Sequence, residues 1–403
     1  MLSYLIFSPR THHLPTPVSA PILPTPAPSL PPAPSPMPDP DPAPSLKDWF
    51  DAPRLRHIAH EVAALHPAFD SKHFLRLALA DLDSLSLMQR LRRTTESLHA
   101  TLPASYPAAL KILRALAPRI NHNFVGLVLP DYVAQYGLQH FDLSLAALKF
   151  FTPFSSAEFA IRPFLRQDLP RTLSVMETWS RDENDHVRRL ASEGCRPRLP
   201  WSFRLDALIA DPSPVLPILE NLRADPSLYV RKSVANHLND ITKDHPAWVL
   251  DLLQGWPLAA SPHTTWIARH ALRTLIKKGD STALTLIGAS GKAEVKIPRF
   301  TITPDNIQLG QKITLTLHLQ SASSASQRLV VDYALHYVKK SGSTSAKVFK
   351  WKELTLASGE TVTLTRQQTL KDFTTRLHHP GHHAVDLLIN GQNMAQSAFH
   401  LAK

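Results

Sequence analysis

The sequence predicts an all-α solenoid of HEAT-like repeats followed by an all-β immunoglobulin-like sandwich. Three observations predict it. Apolar residues recur at i, i+3 and i+4 from about residue 46 to 290. Two helical stretches match each other at a shift of 43 residues. Beyond about residue 290 the period drops to two, in runs rich in Val, Thr, Leu and aromatics.

Residues 1–45 come first and hold fifteen of the 36 prolines. Such a segment packs no core and is expected to be extended or disordered. It reads either as a polyproline ligand for an SH3-like partner or as an upstream extension with translation starting at Met37. The second reading is preferred, because folded sequence starts only at "LKDWF". The short apolar patch "LSYLIF" has no basic residue before it and is not read as a signal peptide.

Residues 46–290 are expected to be a helical-repeat domain. "RLRHIAHEVAALH", "FLRLALADLDSL", "LMQRLRRTTESLHATL" and "AALKILRALAPRI" each carry one apolar face, bounded by Pro, Asp, Ser or His-Pro breaks. The self-match joins "SRDENDHVRRLASEG" to "LRADPSLYVRKSVAN". It pairs Asp182 with Asp225, Val187 with Val230, Arg188 with Arg231 and Arg189 with Lys232. "LAASPHTTWIARHAL" is a looser copy. A helical repeat near this length is the mark of HEAT-like units, which stack into a solenoid.

Residues 291–403 are expected to be the sandwich. "KITLTLHLQ", "RLVVDYALHYV", "AKVFKWKELTL", "ETVTLTRQQTL", "HAVDLLI" and "MAQSAFHLA" read as strands, and Asn390-Gly391 as a hairpin turn. This tail has 14 Lys/Arg against seven Asp/Glu, and so supplies most of the chain's net charge of +11. Basic excess points to a polyanionic partner, nucleic acid or an anionic membrane surface. No apolar run approaches the ~20 residues of a membrane helix. One cysteine, Cys195, excludes an intrachain disulfide and suits a reducing cytoplasm.

Most catalytic motifs are absent: no HExxH, GxSxG, GxGxxG or CxxC. "GASGK" (288–292) is too short for a phosphate loop and reads as linker. "HHPGHH" (378–383) could hold a metal, but reads better as a His-rich turn between strands.

Three acids and one corner remain. Ser155-x-x-Glu158 has the form of a capping box, the reading preferred for Glu158 from local sequence. Glu193 ends a helix, where the macrodipole disfavours an anion, so a salt bridge to Arg188, Arg189 or Arg196 is expected. Asp240 lies late in a helix that buries Val230, Val234, Leu238 and Ile241, and is expected to flank that stripe. The corner "ASEGCRPRLPW" (191–201) sets Arg196 and Arg198 on proline-restricted backbone beside Trp201. It could grip a phosphate and a sugar, or it could simply pack one repeat on the next.

The strings "FSSAEFAIRPFL", "HVRRLASEGCRPRLPW" and "DPSLYVRKSVANHLNDITKDHP", with "LHATLP" and "YPAAL" upstream, resemble the AlkC family of DNA alkylation-repair glycosylases. The resemblance covers about residues 46–290, and the β tail is similar to the immunoglobulin-like domain many members append. It implies a superhelix that wraps damaged double-stranded DNA. It implies hydrolysis of the N-glycosidic bond of cationic bases, N3-methylcytosine above all and also N1-methyladenine, without base flipping. It places the catalytic acids at Glu158, Glu193 and Asp240, with Trp201 as aromatic neighbour. Arg188, Arg196, Arg198, Arg231 and Lys232 become candidate DNA-binding residues. No cofactor, metal or membrane is implied, and the enzyme is expected to be a monofunctional monomer of the bacterial cytoplasm. Two other readings are a catalytically silent DNA-binding repeat scaffold and a protein-interaction solenoid.

Overall fold

The computed structural model describes residues 45–289, 292–373 and 377–402. The proline-rich residues 1–44 lie outside the described residues, as do positions 290 and 291 within the "GASGK" linker.

Among the described residues, sixteen α-helices precede eight strands. The helices are α1 (Ala52–Leu65), α2 (Ser71–Ala78), α3 (Leu87–Thr101), α4 (Tyr106–Leu116), α5 (Val128–Tyr136), α6 (Phe141–Phe151), α7 (Arg162–Gln167) and α8 (Leu169–Trp179). They continue as α9 (Asp185–Glu193), α10 (Asp206–Ala210), α11 (Leu216–Leu222), α12 (Leu228–Ile241), α13 (Pro246–Gln254), α14 (Pro262–Ala271), α15 (Arg273–Lys277) and α16 (Ser281–Leu286). Local chemistry sets many of the starts. Asp51, Asp70, Asp168, Asn184, Ser261 and Asp280 each accept a backbone N–H of the helix that follows. The stretch "FLRLALADLDSL" is not one helix. α2 stops at Ala78, and Asp81 sits at φ 50°, in the left-handed region that breaks a helix.

The 43-residue echo is a physical repeat. Before α9, the Asp182 carboxylate accepts the Asn184 N–H at 2.9 Å. Before α12, Asp225 accepts the Ser227 N–H at 2.8 Å. Arg188 Nη1 donates to the carbonyls of Asp182 and Glu183 at 2.9 and 2.8 Å. Arg231 Nη1 donates to those of Asp225 and Pro226 at 2.8 and 2.7 Å. Val187 and Val230 are both buried. α9 packs on α12 and α12 on α14, which places the ends of successive repeats side by side.

The strands are β1 (Val295–Thr303), β2 (Asn306–Gln308), β3 (Lys312–Ser321), β4 (Gln327–Val338), β5 (Thr344–Leu356), β6 (Thr361–Thr369), β7 (Gly381–Ile389) and β8 (Gln392–Ala402). They form two sheets, in the orders β1-β3-β6 and β2-β8-β7-β4-β5. β3 shows the expected alternation, with Ile313, Leu315, Leu317 and Leu319 pointing into the core. The β7–β8 hairpin turns on Asn390 and Gly391 at φ 49° and 75°, the left-handed pair that a tight hairpin needs. β1 carries no alternation signal because Pro298 sits in it. Proline is tolerated there since β1 is an edge strand whose register slips between Lys296 and Arg299. "HHPGHH" is only partly a turn, since His382 and His383 belong to β7 and His383 stacks on Phe399.

β4 is buried on both faces, which alternation does not anticipate. Its Leu329, Val331, Tyr333 and Leu335 face the sandwich core, while Val330 joins the core of the helical region. The Gly391 turn meets the loop after α15 so closely that a Cβ on Gly391 would lie 2.1 Å from Gly279 Cα. The sandwich is thus docked on the helices by backbone contact.

Candidate active site

α9 ends at Glu193, and Gly194 follows because no larger residue fits. A Cβ there would stand 2.4 Å from Ile161 Cγ2. The chain then runs through the two prolines to Trp201, whose backbone has φ 64°. A bulky aromatic rarely adopts that left-handed conformation, and it costs on the order of 1–3 kcal/mol. Trp201 is nonetheless 66% exposed, so burial of its indole does not supply the compensation.

The three acids are joined through arginines. Arg189 Nη1 donates to Ser156 Oγ at 2.7 Å and to Glu158 Oε2, while its Nη2 lies 3.5 Å from Glu193 Oε1. Arg196 Nη1 donates to Glu193 Oε1 at 2.6 Å. Its Nε and Nη2 reach Asp240 Oδ2 at 2.9 and 2.8 Å. Lys243 Nζ closes the row, 2.9 Å from Asp240 Oδ1. Charges therefore alternate: Glu158, Arg189, Glu193, Arg196, Asp240, Lys243. Glu193 and Asp240 are 5% and 4% exposed. Charges that deep are retained only when paired and hydrogen-bonded. Burial works to lower the Arg196 pKa, but the charges of Glu193 and Asp240 and the hydrogen bonds to both outweigh it, and the net shift is upward.

Several sequence expectations change here. The capping box at Ser155 does not form. Glu158 lies in a turn, accepts Ser156 Oγ at 2.8 Å and is held by Arg189, and α7 starts only at Arg162. Asp240 does not flank an apolar stripe, because every residue from His237 to Ile241 is buried. Glu193 has the expected salt bridges, to Arg189 and Arg196 but not to Arg188.

Arg196 is not placed to meet a phosphate. It is 8% exposed and its donors are taken up by two carboxylates. Arg188 is likewise engaged, by both oxygens of Asp225 and two backbone carbonyls. Arg231 Nη1 is held in the repeat turn by its own pair of carbonyls. Arg198 is nearer the surface and pairs bidentately with Asp244 at 3.1 and 2.8 Å. Lys232 is exposed.

Glu158, Glu193, Arg196 and Trp201 line an open cleft of about 730 Å³. Asp240 lies behind Arg196 and does not line it. Much of the rest of the wall is aromatic: Trp49, Phe124, Phe154, Phe159 and Tyr229. Arg189 lies over the Tyr229 ring, 5.0 Å from its centroid, and His186 packs edge-on against that ring. Local sequence gave no reason to pick these residues, since they come from segments up to 180 positions apart. Arg189 had a signal, its match to Lys232 in the repeat. Among the described residues, none that lines the cleft is a lysine.

A helical repeat with acids at the ends of stacked units, joined to an immunoglobulin-like sandwich, defines a two-domain helical-repeat protein. The profile described as "DNA alkylation repair enzyme" matches residues 149–275. The profile described as "Uncharacterised protein YhaZ, C-terminal Ig-like domain" matches residues 296–403. The chain is 44% identical to the uncharacterized protein YhaZ of Bacillus subtilis over 86% of its own length and 96% of that protein. It is 57% identical to the alkylpurine DNA glycosylase AlkC of Pseudomonas fluorescens, solved bound to DNA containing an abasic-site analogue. That likeness has a TM-score of 0.87 and covers 89% of this chain and 100% of that one. The chain belongs to the AlkC family.

Proposed function

We propose that this chain is a DNA glycosylase that hydrolyses the N-glycosidic bond of cationic alkylated bases in duplex DNA, N3-methylcytosine first and N1-methyladenine second. The observation that carries this is the pair Glu193 and Asp240, buried and clasped by one arginine at the edge of an open cleft. A methylated ring nitrogen makes the base a cation and a good leaving group. Little acid catalysis is then needed, and the barrier lies in the positive charge that develops on the sugar. Fixed carboxylates stabilise that charge without reorganising. Glu158 and Glu193 line the cleft and act on the sugar and its attacking water, one of them as general base. Asp240 acts through Arg196, holding it against Glu193. Trp201 lies against the deoxyribose.

The reading keeps hydrolysis apart from any lyase step, because the described residues that line the cleft include no lysine to form a Schiff base. DNA contact falls to exposed cations such as Lys232, to Arg198 and to the basic sandwich, so affinity drops steeply with salt. The sugar is approached from outside the base stack. A second reading has the nucleotide swung into the cleft, favoured by the cleft's volume and aromatic wall. Fluorescence of a 2-aminopurine next to the lesion separates the two, since only extrusion unstacks it.

The test is release of free base from duplexes carrying, in turn, N3-methylcytosine, N1-methyladenine, N3-methyladenine and N7-methylguanine. Glu193→Gln and Asp240→Asn should lose release while still binding a duplex with an abasic analogue. Full activity in both variants would remove the site from these residues. No release from any of the four lesions would leave a DNA-binding scaffold.

A further inference from the structure

Arg162 is the largest fully buried side chain among the described residues. It opens α7, four residues after Glu158. None of the carboxylates of the described residues forms an ion pair with it. Its Nη1 and Nη2 groups donate instead to backbone, while Nε is buried without a partner. Nη1 donates to the carbonyls of Gly194 at 2.9 Å and Arg196 at 2.7 Å, and Nη2 to that of Phe203 at 2.5 Å. The Phe203 ring lies 5.4 Å from its guanidinium carbon. One planar fork therefore grips both ends of the corner 194–203. Between those grips lie Arg196, which clasps the two acids, and Trp201, which lines the cleft.

A buried cation without a counter-ion is costly to keep. Burial lowers the Arg162 pKa to about 10, so the group is still charged at neutral pH. An apolar residue here would leave the carbonyls of Gly194, Arg196 and Phe203 without these donors. A guanidinium adds fixed directions, because its N–H groups lie in one plane and reach carbonyls on two sides.

We infer that Arg162 is a positioning residue for the hydrolysis. It locks residues 194, 196 and 203 into one unit, and so sets the Glu193–Arg196–Asp240 cluster at a fixed place relative to Trp201. The inference rests on the reading of that cluster as catalytic. A sugar must meet carboxylate and indole at once, and misplacement by about 1 Å can cost roughly 100-fold in rate. Lysine keeps the charge but offers its donors from a single point, so it cannot span Gly194 and Phe203 together.

The experiment is single-turnover base release and DNA affinity for Arg162→Lys and Arg162→Met, with Glu193→Gln in parallel. Arg162→Lys should fold, melt cooperatively and bind duplex DNA within about threefold of wild type, with release slowed roughly 10- to 100-fold. Arg162→Met should be slower again. Combining Arg162→Lys with Trp201→Ala should cost less than the product of the two single effects, because both disturb the same placement. Wild-type release by Arg162→Lys overturns the inference. Failure of Arg162→Lys to fold also overturns it, since the residue then serves the fold. If Arg162→Met alone fails to fold, the lysine variant decides. A fully active Glu193→Gln would instead sink the site reading, whereas an inactive Glu193→Gln beside a fully active Arg162→Lys would sink only the positioning role.

Discussion

His237 lies one helical turn before Asp240 on α12 and is completely buried. Neither ring nitrogen has a hydrogen-bond partner of good geometry. Burial, with the nearby charges of Arg196 and Arg162, lowers its pKa from 6.5 to about 3, against a weak opposing pull from the Ser192 backbone. The folded ring is therefore neutral down to about pH 3, while the unfolded chain takes up a proton below pH 6.5. The stability this neutral ring confers is complete above pH 6.5 and is lost as pH falls towards 3. Each pKa unit is worth about 1.4 kcal/mol, so going from pH 7.5 to 5 costs about 2 kcal/mol through this residue alone. The perturbation that isolates it is His237→Leu, which cannot titrate and leaves no buried nitrogen unpaired. Urea unfolding of both proteins at the two pH values gives the comparison. Wild type should lose about 2 kcal/mol more than the variant. Equal losses would refute the burial argument.

Other perturbations test the remaining contacts. Arg196→Met should lower stability by roughly 3–5 kcal/mol in thermal melts, because it leaves two buried carboxylates without their shared partner. Trp201→Gly should gain on the order of 1 kcal/mol by relieving the left-handed backbone, yet lose base release; a variant less stable than wild type would show that the exposed indole packs in solution. Gly391→Ala should uncouple the sandwich from the helices, since the new methyl collides with Gly279. Calorimetry should then show two transitions where wild type shows one.

Much of the architecture was legible in local sequence. Helical and strand periods, the Asn390-Gly391 turn and the repeat at a 43-residue shift report on neighbours close in the chain. Those features follow from backbone geometry and side-chain alternation, which act within a few residues. β1 escaped because Pro298 interrupts its pattern, and the buried outer face of β4 escaped because its cover comes from distant helices.

The corner 191–201 divides the same way. Its composition marked Glu193, Arg196 and Trp201 as unusual, and local helix physics said that Glu193 needed a cation. Which cation, and what each arginine does, depended on the stacking of α9 on α12. That packing brings Asp240 to Arg196 across 44 positions, while α7 carries Arg162 beneath the carbonyls of Gly194 and Phe203. Burial then turned a presumed phosphate-binding residue into a clasp between acids. Periodicity cannot reveal this, because a charge changes its role with the partners and solvent around it. The sequence determined the elements and the reactive groups. Only the tertiary structure decided which of those groups meet, since their meeting depends on long-range packing.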